Sequence, residues 1–219
     1  MSIINDLNSL GVYLLNNKGI AYSYLIVGED NVLIDTGFPH EDKNILKDLE
    51  ECGLSIDDID IILLTHHDID HTGNLASFEQ VSGAEVYASE EDIPFIMGDK
   101  KPEGIKKILR SQHIIKTPQK IHPYHEYTGN IKIIDTPGHT PGHVCLLYKD
   151  ILFIGDLFEI KQGEIKTLKS AMTWDSDLLK ESIRKILDYE FKWICPSHSE
   201  PIQVDNDILE KIKKITIKI

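Results

Sequence analysis

The stretch LLTHHDIDHTG, residues 63–73, constrains this chain more than any other. Three histidines and two aspartates crowd into six positions, behind an apolar run and ahead of a glycine. Buried polar and charged groups have to be hydrogen-bonded, paired or coordinated, so a fold that accepts this run must present it at the end of a scaffold element. The preceding IDIILLT (59–65) is short and rich in isoleucine and leucine, which reads as a buried strand. The cluster therefore lies on a strand-to-helix loop. His66 and Asp68 stand two residues apart on an extended segment, where alternate side chains point the same way, so both can reach one ion. Asp70 and His71 are neighbours that point apart, and a tight turn could aim them at a second ion. The competing reading is a polar loop with helix-capping aspartates.

Elsewhere short apolar strands alternate with helices. AYSYLIVG (21–28) and NVLIDTG (31–37) are β-branched runs separated by Glu29 and Asp30, a hairpin signal. EDKNILKDLEECGL sets Ile45, Leu46 and Leu49 at helical spacing and stops near Gly53. AEVYAS (84–89) is a further strand. Residues 90–130, with Pro94, Pro102, Pro118 and Pro123, form a mixed, weakly periodic insert expected to cover a site. IKIIDTPGHTPGHVCLLY and ILFIGDLFE then read strand, loop, strand, turn, strand. DSDLLKESIRKILDYE (175–190) is an amphipathic helix with Leu178, Leu179, Ile183, Ile186 and Leu187 on one side and Thr173 or Asp175 as N-cap. FKWICPSH (191–198) reads as a last core strand and NDILEKIKKI as a terminal helix. With 219 residues, 41% of them hydrophobic, the chain can bury a sizeable core, and residues 1–219 are expected to form a single domain. Helices outside two packed sheets would make an α/β sandwich.

Charge limits the partners. Twenty-three basic residues against 36 acidic ones leave a formal net charge of −13. That balance argues against nucleic acid or an anionic membrane, both of which are bound mainly through basic patches. A small-molecule substrate fits better, and a homodimer stays open. The opening MSIINDLNSLGVYLL has no basic n-region, no continuous apolar stretch and no small-residue cleavage site, so no secretory signal is read. No run approaches the roughly 20 apolar residues that span a bilayer. Cys52, Cys145 and Cys195 are odd in number and lack the close pairing of a zinc knuckle or redox dithiol. A cytoplasmic location is expected, each cysteine serving as a small buried hydrophobe.

Three further stretches move the balance from a capped loop to a metal site. DTPGHTPGH offers His139 and His143 on a loop punctuated by glycine and proline; FIGDLFE puts Asp156 at a strand end; CPSH puts His198 at another. All are polar residues just after apolar strands, where a rigid scaffold can hold a site at one edge of the sheets. In combination and order these motifs resemble those of the metallo-β-lactamase superfamily, and within it the glyoxalase II and lactonase-like hydrolases. That signature is an HxHxDH loop, a GHTPGH-like loop, an aspartate after GD and a late histidine, and the resemblance runs from about residue 20 to residue 200. It implies a four-layer αββα sandwich with two divalent metal ions. It also implies that His66, Asp68 and His139 bind the first metal, that Asp70, His71 and His198 bind the second, and that Asp156 bridges them. His143 then becomes a structural neighbour, as does His67, and Asp35 of LIDTG supports the metal-binding loop. Two divalent ions lower the pKa of a bound water from 15.7 toward roughly 7 and polarise a scissile carbonyl or phosphoryl oxygen, so hydrolysis needs no serine or cysteine nucleophile. Asp70 could orient that nucleophile or help protonate the leaving group.

Asp68 departs from the family pattern, which has histidine there. Its carboxylate adds a negative charge and a harder donor, making the two-metal centre formally neutral; zinc is expected first, with iron or manganese open because of Asp68. Family members with a carboxylate here include di-iron flavoproteins, so an oxygen or nitric oxide reductase is the rival reading. A mononuclear iron dioxygenase and a non-enzymatic metal-binding protein are further alternatives. The small number of residues after His198 makes a glutathione thioester less expected, and the missing leader argues against a periplasmic β-lactamase. An ester, lactone, thioester or phosphoester of modest size is the expected substrate. Phe95, Met97, His122, Tyr124 and His125 of the insert read as packing or loop residues before they read as a pocket lining. Phe158 and Trp174 read as core, His40 as a lone exposed histidine, and Lys166 and Lys169 as a solvated face.

Overall fold

The computed structural model describes residues 3–113 and 116–217. Residues 114 and 115 of the expected insert, and 1, 2, 218 and 219 of the expected domain, lie outside the described residues. Along the chain two compact units follow one another, residues 1–123 and 124–219.

In the first unit, apolar runs of three or four residues form a six-stranded sheet. Its strands are β1 (Val12–Leu15), β2 (Ser23–Ile26), β3 (Val32–Ile34), β4 (Ile61–Leu63), β5 (Glu85–Ala88) and β6 (His122–Pro123), in that order across the sheet. The first three are antiparallel, with Leu25 opposite Leu33, as the hairpin signal implied; β3 to β6 run parallel. Parallel neighbours require crossovers. These are supplied by α2 (Asp42–Glu51), by α3 (Ile69–Thr72) with α4 (Leu75–Ser82), and by α5 (Ile93–Ile96) with α6 (Gly104–Ser111), while α1 (Ile3–Ser9) precedes β1. Leu25, Leu33, Ile62 and Val86 of the strands pack with Ile45 and Leu49 of α2 and with Leu75 and Phe78 of α4. The alternate residues Tyr24, Ile26, Ile34 and Leu63 are buried as well. Strands covered on both faces read as unbroken apolar runs, which is why 59–65 carries no alternation. The sequence reading did not single out β1 as a strand. Its four residues become a strand only by pairing with β2, Tyr13 opposite Leu25. Likewise β6 ends the expected insert inside the sheet, His122 beside Tyr87.

The second unit repeats the scheme. β7 (Tyr127–Thr128), β8 (Ile131–Asp135), β9 (Val144–Tyr148) and β10 (Ile151–Gly155) form an antiparallel meander. A short hairpin of β11 (Glu159–Lys161) and β12 (Glu164–Lys166) and the helix α7 (Ser176–Lys185) precede β13 (Trp193–Pro196), which pairs parallel with β10. β14 (Ile202–Gln203) closes the edge and α8 (Asn206–Ile217) follows. Leu179, Ile183 and Ile186 from the α7 segment pack with Ile134, Leu152, Ile194 and Ile212; truncating such a side chain to alanine costs about 2–5 kcal/mol. Of the two candidate caps, Asp175 is the one that serves: its Oδ1 accepts from Asp177 N at 2.9 Å and Leu178 N at 3.0 Å.

Phe158 is buried as expected, but Trp174 is 58% exposed. It precedes the Asp175 cap, and the buried face of α7 is already taken by Leu179 and Ile183, so its ring is left outside. Cys145 and Cys195 are buried and none of the three cysteines forms a disulfide; burial pushes the Cys145 thiol to about 12, in keeping with a small hydrophobe. No helix among the described residues is long and apolar enough to cross a membrane.

Candidate metal centre

The first unit holds four of the candidate ligands on the loop between β4 and α4. Parallel pairing of Ile34 with Leu63 sets the ends of β3 and β4 side by side, so the LIDTG loop and the HHDIDHTG loop support each other. Asp35 is the joint. Its backbone sits in the left-handed region at φ 58°, a conformation uncommon for any residue but glycine. Its side chain is almost fully buried. Oδ1 accepts from Thr65 N at 2.8 Å; Oδ2 accepts from Thr65 Oγ1 at 2.7 Å and lies 2.8 Å from His71 Nδ1. Thr36 then fixes the backbone of His71, donating to its carbonyl through N at 2.7 Å and Oγ1 at 3.0 Å. The loop turns at Asp68, whose extended backbone opens α3 and whose carbonyl accepts from His71 N and from Thr72 Oγ1, each at 3.0 Å. It leaves at Gly73, where a Cβ would stand 2.4 Å from Pro39 N, so only glycine lets the two loops close on each other.

These contacts set the histidine tautomers. A carboxylate accepts only, so His71 presents Nδ1–H to Asp35 and keeps a lone pair on Nε2. Thr65 gives its single proton to Asp35 and must accept from His66, whose Nδ1 is 3.0 Å away; Nε2 of His66 is again the basic nitrogen. Such an orienting bond is the usual support of a metal-ligating imidazole. His66 Nε2 lies 3.7 Å from Asp68 Oδ2, and His71 Nε2 lies 3.9 Å from Asp70 Oδ2. Two donors on one tetrahedral ion, each about 2.1 Å from it, lie about 3.4 Å apart, so both pairs fit with small adjustments.

His67 does not belong to this set. Its ring stacks on Phe95 at 4.4 Å, its backbone N donates to Asp92 Oδ2 at 2.9 Å, and its Nδ1 lies 3.0 Å from the same oxygen. Thus Phe95, read as packing, packs on the candidate metal-binding loop itself. Asp68 has a partner that sequence reasoning missed: Lys106 Nζ of α6, 2.7 Å from Asp68 Oδ2, with both side chains largely buried. Nothing in the sequence of a short, lysine-rich helix singles out Lys106 from its neighbour Lys107. His40 is exposed, as are Lys166, Lys169 and His125.

The second unit holds His139, Asp156 and His198, each from a different strand end. The 136–143 loop is closed by Thr136 N donating to His143 O at 2.9 Å and by Gly138 N donating to Thr140 O at 3.0 Å. Gly138, at φ 138°, abuts the helix; a Cβ there would lie 2.4 Å from Leu179 Cα. His139 is buried, with Nε2 3.6 Å from Asp156 Oδ2, while Asp156 Oδ1 lies 3.2 Å from Nε2 of the half-exposed His198. Each oxygen of this buried carboxylate thus faces a different imidazole, and the donor set suits a borderline metal such as zinc or iron. His143 has both ring nitrogens engaged: Nδ1 lies 2.9 Å from Thr136 Oγ1, and Nε2 accepts from Asp156 N at 3.1 Å. It positions Asp156, the structural role the resemblance implied. A cavity of about 400 Å³ opens beside His139, Asp156 and His198, with Phe158, Leu168 and Met172 on its walls.

Comparison with known proteins bears on the family. A profile described as the metallo-beta-lactamase superfamily matches residues 16–198. A probable metallo-hydrolase of Methanocaldococcus jannaschii is 30% identical over 155 residues, which are 71% of this chain and 64% of that protein. A hydroxyacylglutathione hydrolase of Pelagibacter ubique is 33% identical over 147 residues, 66% of this chain and 54% of that enzyme. The chain therefore spans less than two thirds of these relatives' own length. Among solved structures, a metallo-beta-lactamase family protein from Thermus thermophilus aligns with a TM-score of 0.74 at 23% identity, covering 94% of this chain and 78% of that one. TTHA1623, solved in a di-iron-bound form, aligns with a TM-score of 0.67 at 26% identity, covering 84% and 89%. These likenesses bear out the expected α/β fold class. The profile takes in every candidate ligand from His66 to His198, and this chain belongs to the metallo-beta-lactamase superfamily.

Proposed function

We propose that this chain is a metal-dependent hydrolase that uses two divalent ions to cleave an ester, lactone, thioester or phosphoester of a small molecule. His66, Asp68 and His139 would hold the first ion, Asp70, His71 and His198 the second, and Asp156 both. The observation that carries this reading is Asp156, whose two oxygens lie 3.6 Å and 3.2 Å from the Nε2 atoms of two different histidines, the disposition a shared carboxylate requires. Once bound, the two ions supply a nucleophilic water of lowered pKa and a Lewis acid for the scissile group.

The remaining work falls to side chains. Asp35 and Thr65 keep the basic nitrogens of His66 and His71 turned outward, and His143 holds the backbone of Asp156. Asp70, whose side chain is 20% exposed, would orient the nucleophilic water or help protonate the leaving group. The apolar wall of Phe158, Leu168 and Met172 suits an acyl chain. Similarity to the hydroxyacylglutathione hydrolase favours a thioester within the range above. Lys106 offsets the charge of Asp68, so the centre keeps a positive charge despite the carboxylate. Zinc is the first choice of metal, and the three unpaired cysteines fit a reducing, cytoplasmic setting.

A di-iron redox protein is the second reading, favoured by the oxygen donor of Asp68 and by the di-iron-bound form of TTHA1623. Metal analysis of protein purified without added metal separates these. Two zinc ions per chain with turnover of a thioester or lactone is the expected result. Two irons with oxygen consumption favour the second reading, and less than one transition ion per chain defeats the two-metal proposal.

A further inference from the structure

We propose that the 90–130 insert carries an anion-binding site, separate from the metal ligands, that takes a phosphate monoester or diphosphate group of a small molecule. A cavity of about 340 Å³ lies between the end of α5 and the face of α6, lined by Lys100, Lys101, Lys107 and Arg110, with hydroxyls from Ser111 and Thr117. Among the described residues, no carboxylate lines it. Four basic residues therefore border one cavity in a chain whose formal net charge is −13. Such a concentration attracts a multiply charged anion and is screened by salt.

Arg110 shows that the cavity is built rather than incidental. Nη2 donates to Ile96 O at 3.4 Å, which ties the guanidinium to the end of α5. Nη1 is buried and makes no hydrogen bond among the described residues. A buried guanidinium proton without an acceptor is costly, and its fork geometry matches phosphate oxygens. Burial works against its charge, offset in part by the field of Asp68. The walls are pinned as well. His113 packs edge-on against Phe38, with ring centroids 4.8 Å apart, and buried Glu79 accepts from Gln119 N at 2.7 Å and Lys120 N at 3.1 Å just beyond Thr117. A dianionic phosphate answers more of the four charges than a single carboxylate would, and the cavity has room for the group that carries it.

The test is calorimetric titration of the full chain with inorganic pyrophosphate, before and after removal of metals by a chelator. The expected result is one binding site per chain that survives chelation and weakens as ionic strength rises. Arg110→Gln should weaken it at least about tenfold, as loss of a charge-assisted fork does. Lys101→Gln, at an exposed position, should weaken it as well and keeps the test valid if Arg110→Gln misfolds. Absence of pyrophosphate binding overturns the proposal. So does binding that chelation abolishes and Arg110→Gln leaves unchanged, because the anion would then sit on the metals.

Discussion

The two units prepare their candidate metal ligands in opposite ways. In the first, His66, Asp68, Asp70 and His71 come from one loop of six residues, and a buried carboxylate, Asp35, organises it through three hydrogen bonds. In the second, His139, Asp156 and His198 come from three strand ends, and neutral groups, His143 and Thr136, do the positioning. The contiguous design depends on one charge. The dispersed design depends on sheet register, since β10 must pair with β13 for Asp156 and His198 to end up at the same edge.

Asp35→Ala should therefore have the largest effect. It leaves the Thr65 and His71 donors without their acceptor in a site where both partners are almost fully buried, and stability should fall by about 3 kcal/mol or more. Denaturant unfolding of the metal-free protein is the check; a loss under about 1 kcal/mol would mean that the first loop is held by its backbone instead. Gly138→Ala comes next. It forces a Cβ against Leu179 Cα at a backbone angle that disfavours side chains, at a cost of about 2 kcal/mol. An unchanged melting temperature would show that α7 and the His139 loop can move apart.

His143→Gln should cost about 1 kcal/mol, because the bonds it loses are neutral, yet it should reduce metal binding as much as the loss of a ligand-orienting partner does, by about 10- to 100-fold. Equal losses of stability in Asp35→Ala and His143→Gln would mean that the charged and the neutral supports hold their loops equally strongly. Asp68→His is expected to act mainly on the choice of metal, with a loss of stability because its carboxylate is taken from the largely buried Lys106. It ends the Lys106 ion pair and restores a nitrogen donor, raising the bound ratio of zinc to iron; elemental analysis after growth in mixed metals reads this out, and an unchanged ratio would show that Asp68 serves Lys106 rather than a metal.

Legibility followed the same division. The first loop stood out as a candidate site at once, since five polar side chains between a buried strand and a glycine have few structural explanations. The second set was legible only as a combination, because a single histidine after a strand says little. Within GHTPGH the choice between His139 and His143 rested on resemblance. The geometry supplies the physical reason: His143 spends both nitrogens on Thr136 and Asp156, leaving no lone pair for an ion. Trp174 was misjudged because hydrophobicity does not tell which side of a helix start a residue falls on, and Lys106 was invisible because its partner lies 38 positions away in sequence.

Taken alone, the sequence determined which strands are buried, where the polar loops fall, and that metal-binding residue types sit on them. Those features follow from short-range patterning, hydrophobic runs and turn residues, which act over a few positions. Tertiary structure alone decided which nitrogen of each histidine is the basic one, that β1 and β6 extend the first sheet, and that an insert lysine faces Asp68. Each of these depends on groups distant in the chain coming within about 3 Å, and hydrogen bonds and ion pairs are made or lost at that distance.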